Sequence, residues 1–211
     1  MNEPKYQRCA RCVMDTTSDR EILFDENGRC NYCSHYLLRL SKLTYQGKSS
    51  DVELERIVDT VKKAGKNREY DCVVGVSGGV DSSYVAYKVK SLGLRALCVH
   101  LDNGWDSDIS VKNIKRLVDK LGFDYQSHVL DWEEFKDLQL SFLRASVPDA
   151  ETPTDMAIPA IACGAAEKHG IQYIIAGGNY VTEGIRPGWW HYDRKDVAYL
   201  AAIHKQFGSK E

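Results

Sequence analysis

Nowhere in the 211 residues is there a run approaching the roughly 20 consecutive apolar side chains that a bilayer-crossing helix requires, so no such helix is expected. The opening segment, MNEPKYQRCARC, lacks the apolar centre of a secretory signal. Neither sign of charge prevails: 28 Lys and Arg face 30 Asp and Glu, a net charge of −2. That balance gives no global pull toward nucleic acid or an anionic membrane surface. Repeats and low-complexity tracts are also missing. Seven cysteines, an odd number with no export signal, do not make a disulfide framework. The expected setting is the cytoplasm. What is present, 43% apolar and 27% charged residues, suits a soluble chain with one ordinary core and a small appendage.

Four of the cysteines form that appendage. Cys9-x2-Cys12 and Cys30-x2-Cys33 are separated by 17 residues. Each C-x-x-C turn points two sulfurs at one metal, and the DENGRC segment supplies a turn before the second pair. The spacing predicts a closed, structural Zn²⁺ site with four thiolates; an iron–sulfur cluster would use the same ligands. Two paired motifs argue against a redox dithiol. His35 reads as a surface residue. Cys72 and Cys98 sit in apolar runs and read as small buried hydrophobes. Residues 1–40 are expected to form the zinc knuckle, Ser41–Asp51 a polar linker, and residues 51–211 the second domain.

In that second domain strand and helix patterns alternate. Asp51–Gly65 has helical spacing. Short β-branched runs at Asp71–Val76, Arg95–Leu101, Tyr125–Leu130 and Ile171–Ala176 read as strands. Between them Val80–Leu92, Ser107–Leu121, Trp132–Ala145 and Thr154–His169 read as helices. This order predicts an α/β fold with a doubly wound parallel sheet. Ligands of such sheets bind beyond the carboxyl ends of the strands, which singles out Ser77–Ser83, Asp102–Trp105 and Gly177–Thr182.

The first of these segments, SGGVDSS, links a strand to a helix. Free N–H groups and the positive end of a helix dipole attract phosphate there. Gly78 and Gly79 let the backbone come close, while Ser77, Ser82 and Ser83 offer hydroxyls. The lysine of a Walker A loop is missing. Asp81 beside phosphate makes sense if Mg²⁺ lies between them. A simple helix cap explains one Ser or Asp, but not the whole run.

SGGVDSS resembles the signature of the PP-loop ATP pyrophosphatases. The resemblance implies that Ser77, Gly78, Gly79, Val80, Asp81, Ser82 and Ser83 grip the pyrophosphate of ATP. The α-phosphate is then left open to attack by a substrate oxygen. It further implies that VHLDNGW lies over the adenosine, with His100, Asp102 and Asn103 at the nucleotide. Asp-Asn-Gly is also ordinary turn chemistry. GGNYVT adds Gly177, Gly178 and Asn179, which face the same ligand if the fourth strand lies beside the first. The knuckle opening CARCVMDTT, the SGGVDSS loop, VHLDNGW and PTDMAI, in that order, resemble the N-acetyl sugar amidotransferases of lipopolysaccharide and flagellin-glycan biosynthesis.

In that family ATP adenylates the acetamido oxygen of a sugar, and ammonia replaces AMP to give an acetamidino group. The implied cofactors are ATP, Mg²⁺ and structural Zn²⁺. Asp81 and Ser82 become candidate catalytic residues. Asp155 is a candidate for catalysis or sugar binding, or else caps its helix. Arg186, Trp189, Trp190 and His191 suit a sugar face and an anionic group, or a surface loop packed by its tryptophans. The sugar would be free or nucleotide-linked. No G-x-C-x-G elbow is present, Cys163 lacks the first glycine of one, and no N-terminal cysteine exists. A separate glutaminase subunit is therefore expected to supply the ammonia. The main rival is a tRNA thiolation enzyme of the same superfamily, against which the charge balance and the solitary Cys163 speak. A non-catalytic nucleotide-binding adaptor is a second rival.

Overall fold

The computed structural model describes residues 5–185 and 196–209. The described chain divides into two compact units, one holding residues 5–54 and 178–185, the other residues 55–177 and 196–209.

In the first unit, two isolated antiparallel bridges, Arg8 with Asp15 and Phe24 with Cys30, frame the cysteines. The expected turn is there: Asp25 accepts from the N–H groups of Asn27 at 3.0 Å and Arg29 at 2.8 Å. Helix α1, Asn31–Leu43, starts at Cys30, whose sulfur accepts the N–H of Cys33. Helix α2, Lys48–Gly65, begins in this unit and continues into the other. The polar stretch expected as a linker is therefore mostly helical, with only residues 44–47 between the two helices. Lys, Ser and Asp are polar but suit a helix's first turns, so composition alone misjudged it.

The second unit carries strands β1, Cys72–Gly75, and β2, Ala96–Asp102, with α3, Val80–Ser91, between them. Helix α4, Asp108–Leu121, strand β3, Asp124–Val129, and helices α5, Trp132–Arg144, and α6, Thr152–Lys168, follow. Strand β4 is Ile174–Ile175. The sheet order is β3-β2-β1-β4 with every pair parallel. The fourth strand is shorter than Ile171–Ala176. Its start is held by the preceding helix, because the N–H of Ile171 donates to Ala166 O at 2.7 Å. The chain returns to the first unit as α7, Tyr180–Glu183, and to the second as α8, Val197–Phe207, a helix the sequence pattern did not reveal.

Alternation along the central strands explains why helices cover both faces. Cys72, Val74, Val76, Ala96 and Cys98 pack with α2, α3 and α4 through Val58, Val89 and Ile114. Val73, Leu97 and Val99 point the other way, onto Ala162, Ala165 and Ala166 of α6. This is the doubly wound parallel α/β fold that the sequence predicts. Its strand order reverses between β1 and β4, and the carboxyl ends at such a switch point form the crevice for a ligand. No helix among the described residues is long and apolar enough to cross a membrane.

Candidate active site

In the first unit Cys9, Cys12, Cys30 and Cys33 bring their sulfurs within 4.8 Å of one another. Cys9 and Cys33 are 3.9 Å apart, and Cys12 and Cys30 are 3.7 Å apart. A tetrahedron with Zn–S bonds of about 2.3 Å has S···S edges of about 3.8 Å, so the donor set fits one zinc ion. The backbone is arranged to support thiolates. N–H groups of Arg11 and Cys30 point at Cys9 Sγ, at 3.4 and 3.2 Å. The Arg11 guanidinium lies 3.7 Å from Cys33 Sγ. Burial raises the Cys9 thiol, but the N–H groups of Cys30, Arg11 and Cys12 outweigh it and bring it down to about 6. With one thiolate formed, burial holds Cys12 and Cys30 up. His35 is exposed and takes no part.

In the second unit β1 ends in the loop Ser77–Ser83. Gly78 has φ of 75°, a left-handed conformation that favours glycine. An added Cβ would overlap the Ser110 carbonyl and lie 2.8 Å from Ser110 Cα. Asn113 Nδ2 donates to Gly78 O at 3.2 Å, so α4 holds the loop from behind. Ser82 Oγ accepts from the Ser77 N–H at 3.1 Å and lies 3.1 Å from Ser77 Oγ. Gly79 occupies the N-cap of α3 with no side-chain cap. Ser83 Oγ donates back to Gly79 O at 2.7 Å. Neither Asp81 nor a serine spends itself on the helix end, which leaves the first N–H groups of α3 open toward an anion. Among the described residues no group bonds the exposed Asp81 carboxylate, so it is free to hold Mg²⁺ against phosphate.

The loop faces a cleft of about 340 Å³. Ser77 and Ser82 form one side, His100, Asn103 and Asp106 another, and Thr154 and Ile158 of α6 a third. Gly177, after β4, completes it. An added Cβ there would meet Asp81 and Ser82 backbone at 3.5 Å, an ordinary contact, so this wall does not demand a glycine. A larger cavity of about 580 Å³ lies between α5, α6 and α8. It lacks any part of the phosphate loop, so the smaller cleft is the candidate nucleotide site. His100 is buried and committed at both ring nitrogens. Nδ1 lies 2.8 Å from Val76 O, which only accepts, so Nδ1 donates; Nε2 lies 2.9 Å from the Asp106 carboxylate. The pair braces the stem of the phosphate loop against the loop after β2. Asp106 and Thr154 are site residues that sequence reasoning missed. Asp106 had no motif around it, and Thr154 lay inside PTDMAI beside the more conspicuous Asp155.

Several expected residues stand elsewhere. Asp102 Oδ1 accepts the Gly104 N–H at 3.0 Å and does not line the cleft, which is turn chemistry. Helix α6 begins at Thr152 with Glu151 as N-cap, so Asp155 is not the cap; it sits in the first turn, where a carboxylate suits the helix dipole. Gly178 and Asn179 belong to the first unit, where Asn179 caps α7 through the Val181 N–H at 3.1 Å. Arg186, Trp189, Trp190 and His191 lie outside the described residues. Cys163 is exposed on α6 and does not line the cleft.

Comparison with known proteins finds partial resemblances. The family model of NAD synthase matches residues 53–143. A tRNA-specific 2-thiouridylase MnmA of Helicobacter hepaticus is 32% identical over 138 residues, 62% of this chain and 36% of that protein. The MnmA of Christiangramia forsetii is 29% identical over 136 residues, 58% of this chain and 32% of that protein. The chain thus spans about a third of the length of these curated relatives. Among solved structures, the NH3-dependent NAD synthetase of Campylobacter jejuni in complex with the nitrate ion aligns with a TM-score of 0.46 and 15% identity, covering 72% of this chain and 70% of that one. The family match and the curated relatives meet in the PP-loop ATP pyrophosphatase superfamily, whose nucleotide-binding α/β fold the second unit carries.

Proposed function

We propose that this chain is an ATP-dependent amidotransferase that adenylates the acetamido oxygen of an N-acetyl sugar. That oxygen attacks the α-phosphorus, and pyrophosphate leaves. Ammonia adds to the imidate carbon, the C–O bond breaks, and AMP departs carrying the sugar's oxygen. Loss of a proton leaves the acetamidino sugar. The observation that carries the reading is the phosphate loop itself. The start of α3 carries no side-chain cap, Gly78 is locked against α4, and among the described residues no lysine or arginine lines the cleft. Such a loop holds pyrophosphate as a whole leaving group. Mg²⁺ on Asp81 would neutralise its charge. Positioning and fixed dipoles do the rest. Ammonia would come from a glutaminase subunit.

RNA thiolation is the second reading, favoured by the thiouridylase relatives. A sulfur relay needs an accessible thiol at the reacting carbon. Among the described residues the second unit offers Cys72 and Cys98, both fully buried, and Cys163, which is outside the cleft. The cleft wall also carries the Asp106 carboxylate and, among the described residues, no lysine or arginine, so it supplies no counter-charge for an RNA backbone. The test is product analysis with Mg·ATP, ammonium and an acetamido sugar. AMP, pyrophosphate and an acetamidino sugar are expected. ADP and phosphate would overturn the superfamily chemistry, and AMP formed only with RNA and a sulfur donor would move the chain to thiolation.

A further inference from the structure

Asn103 stands between two cavities. One is the nucleotide cleft. The other is a recess of about 310 Å³ with Trp105, Gln139, Leu143, Ala150 and Glu151 as its remaining lining. Trp105 is 64% exposed, yet its ring is fixed. Its Nε1–H donates to Gln139 Oε1 at 2.8 Å, and its ring meets Trp132 edge-on, with centroids 5.5 Å apart and planes at 78°. Gly104, at φ of 83°, makes this possible, because a Cβ there would lie 2.8 Å from Trp132 Cζ3. An indole locked in place with an open face is a preformed platform.

The polar groups around it are equally specific. Glu151 is the N-cap of α6 but makes no cap bond, and among the described residues nothing else bonds its carboxylate. Asn103 is oriented, with Oδ1 accepting the Trp105 N–H at 3.2 Å and Nδ2 donating to Thr154 Oγ1 at 3.3 Å. Among the described residues no lysine or arginine lines the recess. Its occupant therefore has an apolar face, several hydroxyl donors and no anionic group inside. A pyranose ring meets all three conditions, since its axial C–H face stacks on indole and its hydroxyls donate to a carboxylate. A nucleobase in RNA would bring phosphate against Glu151. The volume lies at the lower end of the roughly 300–1,000 Å³ typical of small-ligand pockets, enough for one sugar ring.

We propose that this recess is the acceptor subsite: the sugar ring stacks on Trp105 with its hydroxyls on Glu151, and its acetamido arm passes Asn103 into the nucleotide cleft. The inference rests on the amidotransferase reading and deepens it. It is tested on the full chain, with Mg²⁺ and an ATP analogue bridged by methylene between the α and β phosphates, so that pyrophosphate cannot leave. Saturation-transfer NMR follows N-acetylglucosamine, and calorimetry follows the analogue. Trp105→Ala should weaken the sugar about tenfold or more, Trp105→Phe should retain most of its binding, and Glu151→Gln should weaken it less than Trp105→Ala. All three should leave nucleotide affinity within about twofold. Sugar binding that survives Trp105→Ala, nucleotide affinity that falls with it, no sugar binding by the wild type, or binding only of an RNA oligonucleotide would each overturn the subsite. Turnover separates the two ideas. AMP formation with an unchanged sugar KM in Trp105→Ala sinks the subsite alone, whereas sugar binding at Trp105 without any AMP sinks the amidotransferase reading alone.

Discussion

Cys30 and Cys33 in the first unit are as completely buried as Cys72 and Cys98 in the second, all at 0% exposure. Their chemistry is nonetheless opposite. In the first unit backbone N–H groups aim at sulfur, and the four thiols crowd within 4.8 Å. One of them, Cys9, is brought down to about 6. In the second unit valine, leucine and alanine surround the sulfurs. Burial, helped by the Asp71 charge and by Cys98, pushes Cys72 up to about 12, and burial pushes Cys98 up to about 11. Depth does not make a cysteine a ligand; the donors around it do. The first unit has a core built of sulfur, while the second rests on apolar burial on both faces of a sheet.

The sharpest way to break that contrast is to withhold the zinc that the four thiolates are expected to hold. Structural zinc contributes about 10–16 kcal/mol of apparent binding free energy in small thiolate sites. Besides the cysteines, the centre of the first unit holds Met14 and the partly buried Ile22, Phe24, Tyr32 and Ile185. Chelation, or Cys30→Ser, should release about one zinc per chain and strip hydrogen-exchange protection from residues near the cysteines. Val73 and Val74 should stay protected. Joint loss of protection in both units would show that the sheet depends on the metal after all.

A smaller effect is expected inside the second unit, where backbone geometry rather than sulfur carries the site. Gly78→Ala should cost about 1–2 kcal/mol from the left-handed φ alone and must also push Ser110 away. Affinity for Mg·ATP should fall about tenfold or more, since the loop N–H groups move with it. Gly164→Ala is the control. Its Cβ would meet nothing within 4 Å on α6, so stability should rise by up to about 1 kcal/mol with nucleotide affinity unchanged. Calorimetry and denaturant melts on both variants decide this, and equal nucleotide affinity in Gly78→Ala would remove the loop from the site.

Both units were legible in sequence where a local pattern is also the physical cause. C-x-x-C pairs make their own turns, and SGGVDSS between a strand and a helix leaves that helix start without a side-chain cap. Continuous apolar runs at 72–76 and 96–99, in a chain where strands and helices take turns, announced two covered faces. What stayed hidden depends on distant partners. Asp106 has meaning only because His100, itself a strand residue, points at it. Gly104 reads as an ordinary turn glycine until Trp132 is found against it. Helix α8 is marked by little sequence periodicity; it is placed by Asp137 of α5, which accepts from His204 Nε2 at 3.0 Å and from the Ser209 N–H at 2.9 Å. The return of residues 178–185 to the cysteine unit rests on Tyr180 stacking with Tyr36, centroids 5.7 Å apart, a pairing no spacing encodes.

The least of the expected effects tests the sheet sulfurs in their own terms. A thiol whose folded pKa lies above its ordinary value of 9.0 favours the fold while both states stay protonated. Its contribution is whole below pH 9 and is lost as the unfolded chain ionises, between pH 9 and the folded values of about 11 and 12. Tyr70, raised to about 12 by burial and by Asp124, shifts stability in the same direction. The two sulfurs are isolated by comparison with a Cys72→Ala, Cys98→Ala double variant. The denaturant midpoint of the wild type should fall more steeply from pH 9 to pH 11 than that of the variant. At neutral pH a thiol reagent should meet exposed Cys163 first and reach Cys72 and Cys98 only through unfolding. Parallel pH profiles, or fast labelling of Cys72 in the native chain, would mean that water reaches the sulfurs and that the two units differ less than their surroundings suggest.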